Sequence, residues 1–166
     1  MENKLNNLIV KLINEINKIV KNICIFLVII LFTLLTAGVL SRYIFNSPII
    51  WENEFSLILF VWFIFLGITI AFFEHQHIVI NIFIDALPQI ARNFFNILVK
   101  LSIFIFSIIV VKEGFRLIQA FSLSNFRTIP ISLGWLYAAP TVSFILVLFY
   151  NLVPLSWKQD KVKKQK

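Results

Sequence analysis

The sequence has few of the residues that a water-exposed surface requires. Only 14% of its 166 residues are charged, whereas about a quarter are charged in a typical soluble domain. Apolar residues make up 60% of the chain. A chain of this composition cannot cover an aqueous surface, so we expect its solvent to be largely lipid.

Ligands for metals and cofactors are also scarce. Cys24 is the single cysteine, which excludes an intramolecular disulfide and a CxxC motif. The two histidines, His75 and His77, lie on opposite sides of a helix; a turn could bring them together with Glu74, but a structural zinc site usually needs four ligands. No nucleophile–base pair can be assembled either. We therefore predict no cofactor, no metal and no enzyme activity.

The net charge of +7 comes mainly from the two ends of the chain. Basic and aromatic residues do not interleave on a polar surface, which argues against a nucleic-acid partner. Basic tails that flank an apolar body are typical of a membrane protein whose termini are both cytoplasmic. Nine of the fifteen basic residues lie in these tails: Lys4, Lys11, Lys18, Lys21, Lys158, Lys161, Lys163, Lys164 and Lys166.

The hydrophobic pattern predicts an all-α membrane protein that forms one domain over residues 1–166. Residues 1–22 show the period of an amphipathic helix, which we expect to lie in the headgroup layer with Lys4, Lys11, Lys18 and Lys21 toward phospholipid. Four transmembrane helices follow, at about 22–41, 52–73, 93–121 and 134–154, each long enough for a hydrocarbon core of about 30 Å. Residues 158–166 form a basic cytoplasmic tail.

The third span contains Lys100, whose charge has two interpretations. Lys100 either extends to the cytoplasmic interface or pairs with a buried carboxylate. Glu113 and Arg116 stand one turn apart and are expected to form an ion pair.

The segment between spans two and three has a polar arc with a spacing of four residues, formed by His77, Asn81, Asp85 and Gln89. Isoleucines, a phenylalanine and a leucine fill much of the remainder. This pattern predicts a short interfacial helix that ends near Pro88.

Glu52 and Glu54 stand directly before the second span. A spacing of two residues separates them by about 200° on a helix, so they cannot form a catalytic dyad. Carboxylates at a helix N-terminus are favoured by the helix dipole, and one of them could also contact a partner protein. We predict that Glu54 anchors this end of the span and touches a partner.

Small residues recur at a spacing of four in three spans: Thr33, Ala37 and Ser41; Gly67 and Ala71; Gly134 and Ala138. Such residues let helices approach closely. Spans one, two and four contain no charged residue, which favours helix packing over conduction. Trp62 lies near the middle of span two, where its indole N–H is expected to point at another helix or a partner chain rather than at lipid.

From Arg42 to Pro88 the chain resembles the small membrane subunit, or Q component, of tripartite ATP-independent periplasmic (TRAP) transporters. The resemblance rests on Arg42-Tyr43-Ile44-Phe45-Asn46, the turn Ser47-Pro48, Trp51 with Glu54, Phe60-Val61-Trp62, Phe65-Leu66-Gly67, Ala71, His77-Ile78 and Leu87-Pro88. The chain departs from the family at Asn53, where an acid is common, at Glu74 and His75, where a basic residue and glycine are common, and at Asn81.

The resemblance implies a scaffold subunit in the bacterial inner membrane. It implies pairing with a large elevator-type membrane subunit, delivery of an organic acid such as sialic acid or a dicarboxylate by a periplasmic substrate-binding protein, and a sodium gradient as the energy source. The partner interface is then expected at Arg42, Trp51, Glu52, Glu54, Trp62, Gly67 and Ala71, with no substrate site in this chain. The alternative is a small transporter or channel that oligomerises and works without partners.

Overall fold

A computed structural model of the chain describes residues 2–75 and 89–151. These residues form four helices: α1 (Glu2–Tyr43), α2 (Glu52–His75), α3 (Gln89–Ala120) and α4 (Gly134–Asn151). Among these residues the only β-type pairing is one isolated bridge between Asn125 and Ser132. The predicted all-α architecture is confirmed, whereas the interfacial helix around His77, Asn81 and Asp85 lies outside the described residues.

Helix α1 is continuous where the sequence suggested two segments. Its 42 residues have no break near residue 22, so the amphipathic part and the first span share one axis. At about 1.5 Å per residue the helix is about 63 Å long, roughly twice the hydrocarbon core. The predicted N-terminal amphipathic helix is therefore not confirmed as a separate helix, since it continues into the first span, and its position in the headgroup layer stays a prediction.

Within the described residues, three helices are long and apolar enough to cross a membrane, over Lys11–Tyr43, Glu52–Glu74 and Gly134–Asn151. Helix α3 is long enough as well, at 32 residues, but it carries charged residues near both ends and Lys100 between them. The chain is thus a multi-pass helical membrane protein, and α3 as a fourth span stays a prediction.

The helices pack in an order that differs from their order in the chain. Helix α2 contacts both α1 and α4, and α4 makes its most extensive contact with α3. Val20, Cys24 and Leu66 form one buried cluster, against which Leu146 of α4 also packs. Ile13 and Tyr150 form a second cluster nearer the chain termini. Helices α2 and α4 are therefore the centre of the bundle.

Two close helix contacts are at glycines that the spacing of small residues did not predict. A Cβ added to Gly38 of α1 would overlap the Glu52 carboxyl group, and one added to Gly114 of α3 would overlap the Thr141 hydroxyl. The predicted positions are more open: Thr33, Ala37 and Ala71 are exposed, Ser41, Gly67 and Ala138 are half-buried, and only Gly134 is buried. Most of the predicted small-residue faces thus point away from the helices of this chain.

Candidate functional site: the Glu54 end of the bundle

One end of the bundle combines the end of α1, the start of α2 and the connection between α3 and α4. We call it the Glu54 end. Asn46 has a left-handed φ of 49°, a conformation that asparagine adopts more readily than most residues. The Ser47 amide donates to the Ser41 carbonyl at 3.2 Å, and the Ser41 hydroxyl donates back to the Ser47 carbonyl. The predicted turn is confirmed, and it places Trp51 and Glu52 at the start of α2.

The connection between α3 and α4, residues 121–133, folds into a short hairpin. The Phe126 amide donates to the Ile131 carbonyl at 3.0 Å, and the Leu133 amide donates to the Ser124 carbonyl at 2.7 Å. The Ser132 hydroxyl donates to the Phe121 carbonyl at 2.9 Å, which fixes the hairpin to the end of α3. The hairpin is thus an ordered element rather than an open loop.

The Glu54 carboxylate binds this hairpin. One oxygen accepts from the Arg127 amide at 3.1 Å; the other accepts from the Thr128 amide at 2.8 Å and from the Thr128 hydroxyl. Hydrogen bonds to an ionised acceptor are stronger than neutral ones, so this carboxylate joins α2 to a segment more than seventy residues away. The predicted anchoring role of Glu54 therefore has a partner inside the chain, and contact with a second protein stays a prediction.

Glu52 has a different environment. Its side chain packs on Gly38 of α1 and is only 5% exposed. Ser56, one turn further along α2, is also buried, and its hydroxyl has no hydrogen-bond partner among the residues that the structure describes. The two glutamates thus diverge to different neighbours, as their spacing predicts, and do not form a pair.

Trp62 joins α2 to α4 within the apolar zone. Its indole Nε1 donates to the backbone carbonyl of Trp135 at 3.1 Å, and the centres of the two rings are 6.3 Å apart. The prediction that this indole points at another helix is confirmed.

Deeper in the same seam, the Thr69 hydroxyl lies 3.2 Å from the Phe65 carbonyl of its own helix and 3.4 Å from the Ser143 carbonyl of α4. Polar groups therefore connect α2 and α4 along much of their length.

The predicted partner residues fall into two groups. Glu52, Glu54 and Trp62 pack or bond within the chain, as described above. Arg42 and Ala71 are exposed, Trp51 is 45% exposed, and a Cβ at Gly67 would meet nothing within 4 Å. Only this second group lies on a surface that a second protein could reach without rearrangement.

The exposed face of α2 around Gly67 is apolar. Leu57, Phe60, Ile64 and Ile68 recur along it at steps of three and four residues and are 38–47% exposed. A groove of about 390 Å³, which shares Ile68 with this face, lies between α2, α3 and α4. Its lining residues are Ile68, Phe72, Ser102, Ile103, Phe106, Phe144 and Val147. Both surfaces suit lipid chains or apolar side chains rather than a charged solute.

Charged groups at the opposite end form ion pairs. Lys18 pairs with Glu15 at 2.9 Å, and Lys21 of α1 pairs with Glu74 of α2. Lys11 is exposed, and the side chains of Lys4 and Gln89 lie outside the described part of the chain. Contact of these lysines with lipid headgroups stays a prediction, and for Lys18 and Lys21 it would compete with the ion pairs.

Helix α3 carries the remaining charges. The predicted pair of Glu113 and Arg116 is confirmed, at 3.0 Å. Lys100 is half-buried, and its backbone carbonyl accepts a hydrogen bond at 3.3 Å from Asn151, the last described residue of α4. Lys100 thus lies level with a helix end, and among the described side chains it has no carboxylate partner, which favours extension to the interface.

Sequence reasoning missed several residues that build this site. Gly38, Thr128 and Trp135 act through contacts with residues of a different helix, so no local pattern marks them. Within the described ranges, no three His, Cys, Asp or Glu side chains are close enough to hold a metal ion.

Comparisons with known proteins identify the family. The sequence profile of the DctQ component of tripartite ATP-independent periplasmic transporters matches residues 25–156. The sialic acid TRAP transporter permease protein SiaT of Haemophilus influenzae is 34% identical over 123 residues, which cover 74% of this chain but 20% of that protein. The chain thus spans about a fifth of that relative.

Two relatives are closer in length to this chain. A protein of Haemophilus influenzae named as a TRAP transporter small permease protein is 31% identical over 80% of this chain and 82% of its own length. The sialic acid TRAP transporter small permease protein SiaQ of Vibrio cholerae is 26% identical over 86% of this chain and 80% of its own length. With the profile match over most of its length, the chain belongs to the DctQ family of small TRAP transporter subunits.

Proposed function

We propose that this chain is a non-catalytic scaffold subunit of a sodium-coupled TRAP-type uptake system for an organic acid. It pairs with a large elevator-type membrane subunit, to which a periplasmic binding protein delivers the substrate. Both termini lie in the cytoplasm and the Glu54 end faces the periplasm. Relatives named for sialic acid and for C4-dicarboxylates support this substrate class.

The scaffold role is supported above all by the polar side chains of α2, which form hydrogen bonds within the chain. Glu54, Trp62 and Thr69 of α2 all bond to the hairpin or to α4. They hold the frame together, and the outward face of α2 is left apolar. A frame of this kind can support a moving partner through van der Waals contact with its helices.

Pairing with a larger membrane protein is supported by the permease SiaT. Its matched segment is only 20% of its length, so that relative combines a part similar to this chain with a much longer sequence. We infer that this chain pairs with a large membrane part of that kind. Phospholipids would cover the apolar surfaces that this subunit leaves free.

Reconstitution in liposomes tests the proposal. Vesicles would contain the large subunit alone, this chain alone, or both, with the periplasmic binding protein and labelled organic acid outside. We expect uptake only when both membrane chains are present, and only with an inward sodium gradient. A potassium gradient serves as the control.

Two results would contradict the scaffold role. Equal uptake by the large subunit alone would show that this chain is dispensable. Flux of substrate or ions through vesicles that hold only this chain would favour the alternative, a small transporter or channel that works without partners.

A further inference from the structure

Glu52 differs from the other acidic residues whose side chains the structure describes. Glu15, Glu74 and Glu113 pair with Lys18, Lys21 and Arg116, and Glu54 binds the hairpin. Glu52 is the most deeply buried of the five, at 5% exposure, and within the described ranges its carboxylate has no hydrogen bond or ion pair. The acid with the least access to water is thus the one without a partner.

A second unpaired polar group lies beside it. Ser56 is 7% exposed, and in the described part of the chain its hydroxyl has no hydrogen-bond partner. A spacing of four residues places Ser56 on the same face of α2 as Glu52, one turn away. A buried carboxylate and a buried hydroxyl therefore stand together at the seam between α1 and α2.

The seam is shaped to keep the carboxylate there. Gly38 of α1 lies against it, and any side chain at that position would overlap the Glu52 carboxyl group. A buried carboxylate that remains ionised requires an opposite charge and further hydrogen bonds. The single chain provides space for Glu52 but, among the described residues, no ion pair with it.

We infer that Glu52 and Ser56 receive a basic side chain, an arginine or lysine, from the large membrane subunit. This inference rests on the proposed function, because it names the chemistry by which that partner binds here. The carboxylate would form the ion pair, and the Ser56 hydroxyl would satisfy a further hydrogen bond.

The depth of the site favours a membrane-embedded partner over a soluble one. Gly38 lies five residues before the end of α1 at Tyr43, which is about 7.5 Å along the helix axis. A periplasmic protein that rests on the end of the bundle does not reach this level. A transmembrane helix packed against the exposed Thr33 and Ala37 of α1 lies at this level. Its basic side chain reaches Glu52 when the seam between α1 and α2 adjusts.

The substitution Glu52→Gln tests the inference, because the inference predicts that the isolated chain keeps or gains thermal stability while its binding to the large subunit weakens. It removes the buried charge and keeps the shape, so the isolated full-length chain in detergent should unfold at the same or a higher temperature. The complex with the large subunit should weaken, because the partner's cation loses its counter-ion; we expect at least about a tenfold rise in Kd. Glu113→Gln, which removes an exposed acid, should leave both measurements unchanged.

Two other results of the binding experiment would overturn the inference. If the unmodified chain does not bind the large subunit, the proposed function fails and this inference fails with it. If the unmodified chain binds and Glu52→Gln binds equally well, only this inference fails.

Arg42, which lies one turn after Gly38 on α1, is the obvious partner within the chain. If Glu52→Gln and Arg42→Gln lower the stability of the isolated chain by the same amount, Arg42 is the partner of Glu52 and a second subunit is not needed.

Discussion

The same substitution at two helical glycines should change stability in opposite directions. Alanine is favoured over glycine within a helix by about 1 kcal/mol. A methyl group at Gly67 meets nothing within 4 Å, so Gly67→Ala should raise the free energy of unfolding by up to about 1 kcal/mol. For a chain of this size that corresponds to an increase of roughly 2–4 °C in Tm.

At Gly114 the methyl group enters an occupied space. It would lie 3.2 Å from Cβ and 3.5 Å from Cγ2 of Thr141 and would overlap the hydroxyl, which donates to the Tyr137 carbonyl at 2.9 Å. Overpacking costs about 1–3 kcal/mol, and loss of the hydrogen bond adds about 1 kcal/mol. After subtraction of the helix preference, Gly114→Ala should lower the free energy of unfolding by about 1–3 kcal/mol.

Thermal unfolding of the purified full-length chain in detergent measures both effects, with Gly67→Ala as the matched control for Gly114→Ala. Changes of the same sign in the two variants would refute the reasoning, because the helix preference would then outweigh the surroundings at both sites. Gly67→Leu extends the test to the complex. It should leave the isolated chain stable and weaken binding of the large subunit, if the open face of α2 is covered by that partner.

Three smaller changes follow from single contacts. Trp62→Phe removes the hydrogen bond to the Trp135 carbonyl and should lower the free energy of unfolding by about 1 kcal/mol, measured by thermal unfolding; an unchanged Tm would contradict this. Lys21→Met should lower it by less than about 1 kcal/mol, because the side chains of Lys21 and Glu74 are 43% and 36% exposed; a larger loss would mean that the pair is more shielded. Glu54→Gln should speed hydrogen exchange at the two hairpin amides that it binds, and an unchanged rate would show that the hairpin holds without the carboxylate.

Local patterns were sufficient to predict features that depend on one helix at a time. The ion pair of Glu113 with Arg116 and the divergence of Glu52 from Glu54 follow from 3.6 residues per turn. The continuity of α1 also has a local cause that the interpretation as two segments overlooked. Residues 2–37 contain no proline or glycine to interrupt a helix, and a change from amphipathic to apolar surface does not break the backbone.

Contacts between helices could not be predicted in this way. A spacing of four between small residues occurs on several faces, and it does not reveal that Gly38 and Gly114 are in contact while Gly67 is open. The partner of Glu54 was also beyond local reasoning, because Thr128 follows it by 74 residues and lies in a segment without a distinctive motif. The candidate site is thus built largely from contacts that exist only after the helices have packed.

The arrangement of polar contacts suggests which parts of the subunit are rigid. Helix α2 is bonded to the hairpin by Glu54, and to α4 by Trp62 and Thr69, at three levels along its length. Its contact with α1 consists of apolar packing, the exposed pair of Lys21 with Glu74, and the packing of Glu52 on Gly38, where the acid has no ion pair among the described residues. A scaffold needs one rigid body and one seam that can adapt to its partner. For the proposed scaffold role, the seam between α1 and α2 meets the second requirement, because its buried acid has no ion pair among the described residues and a partner chain can supply one.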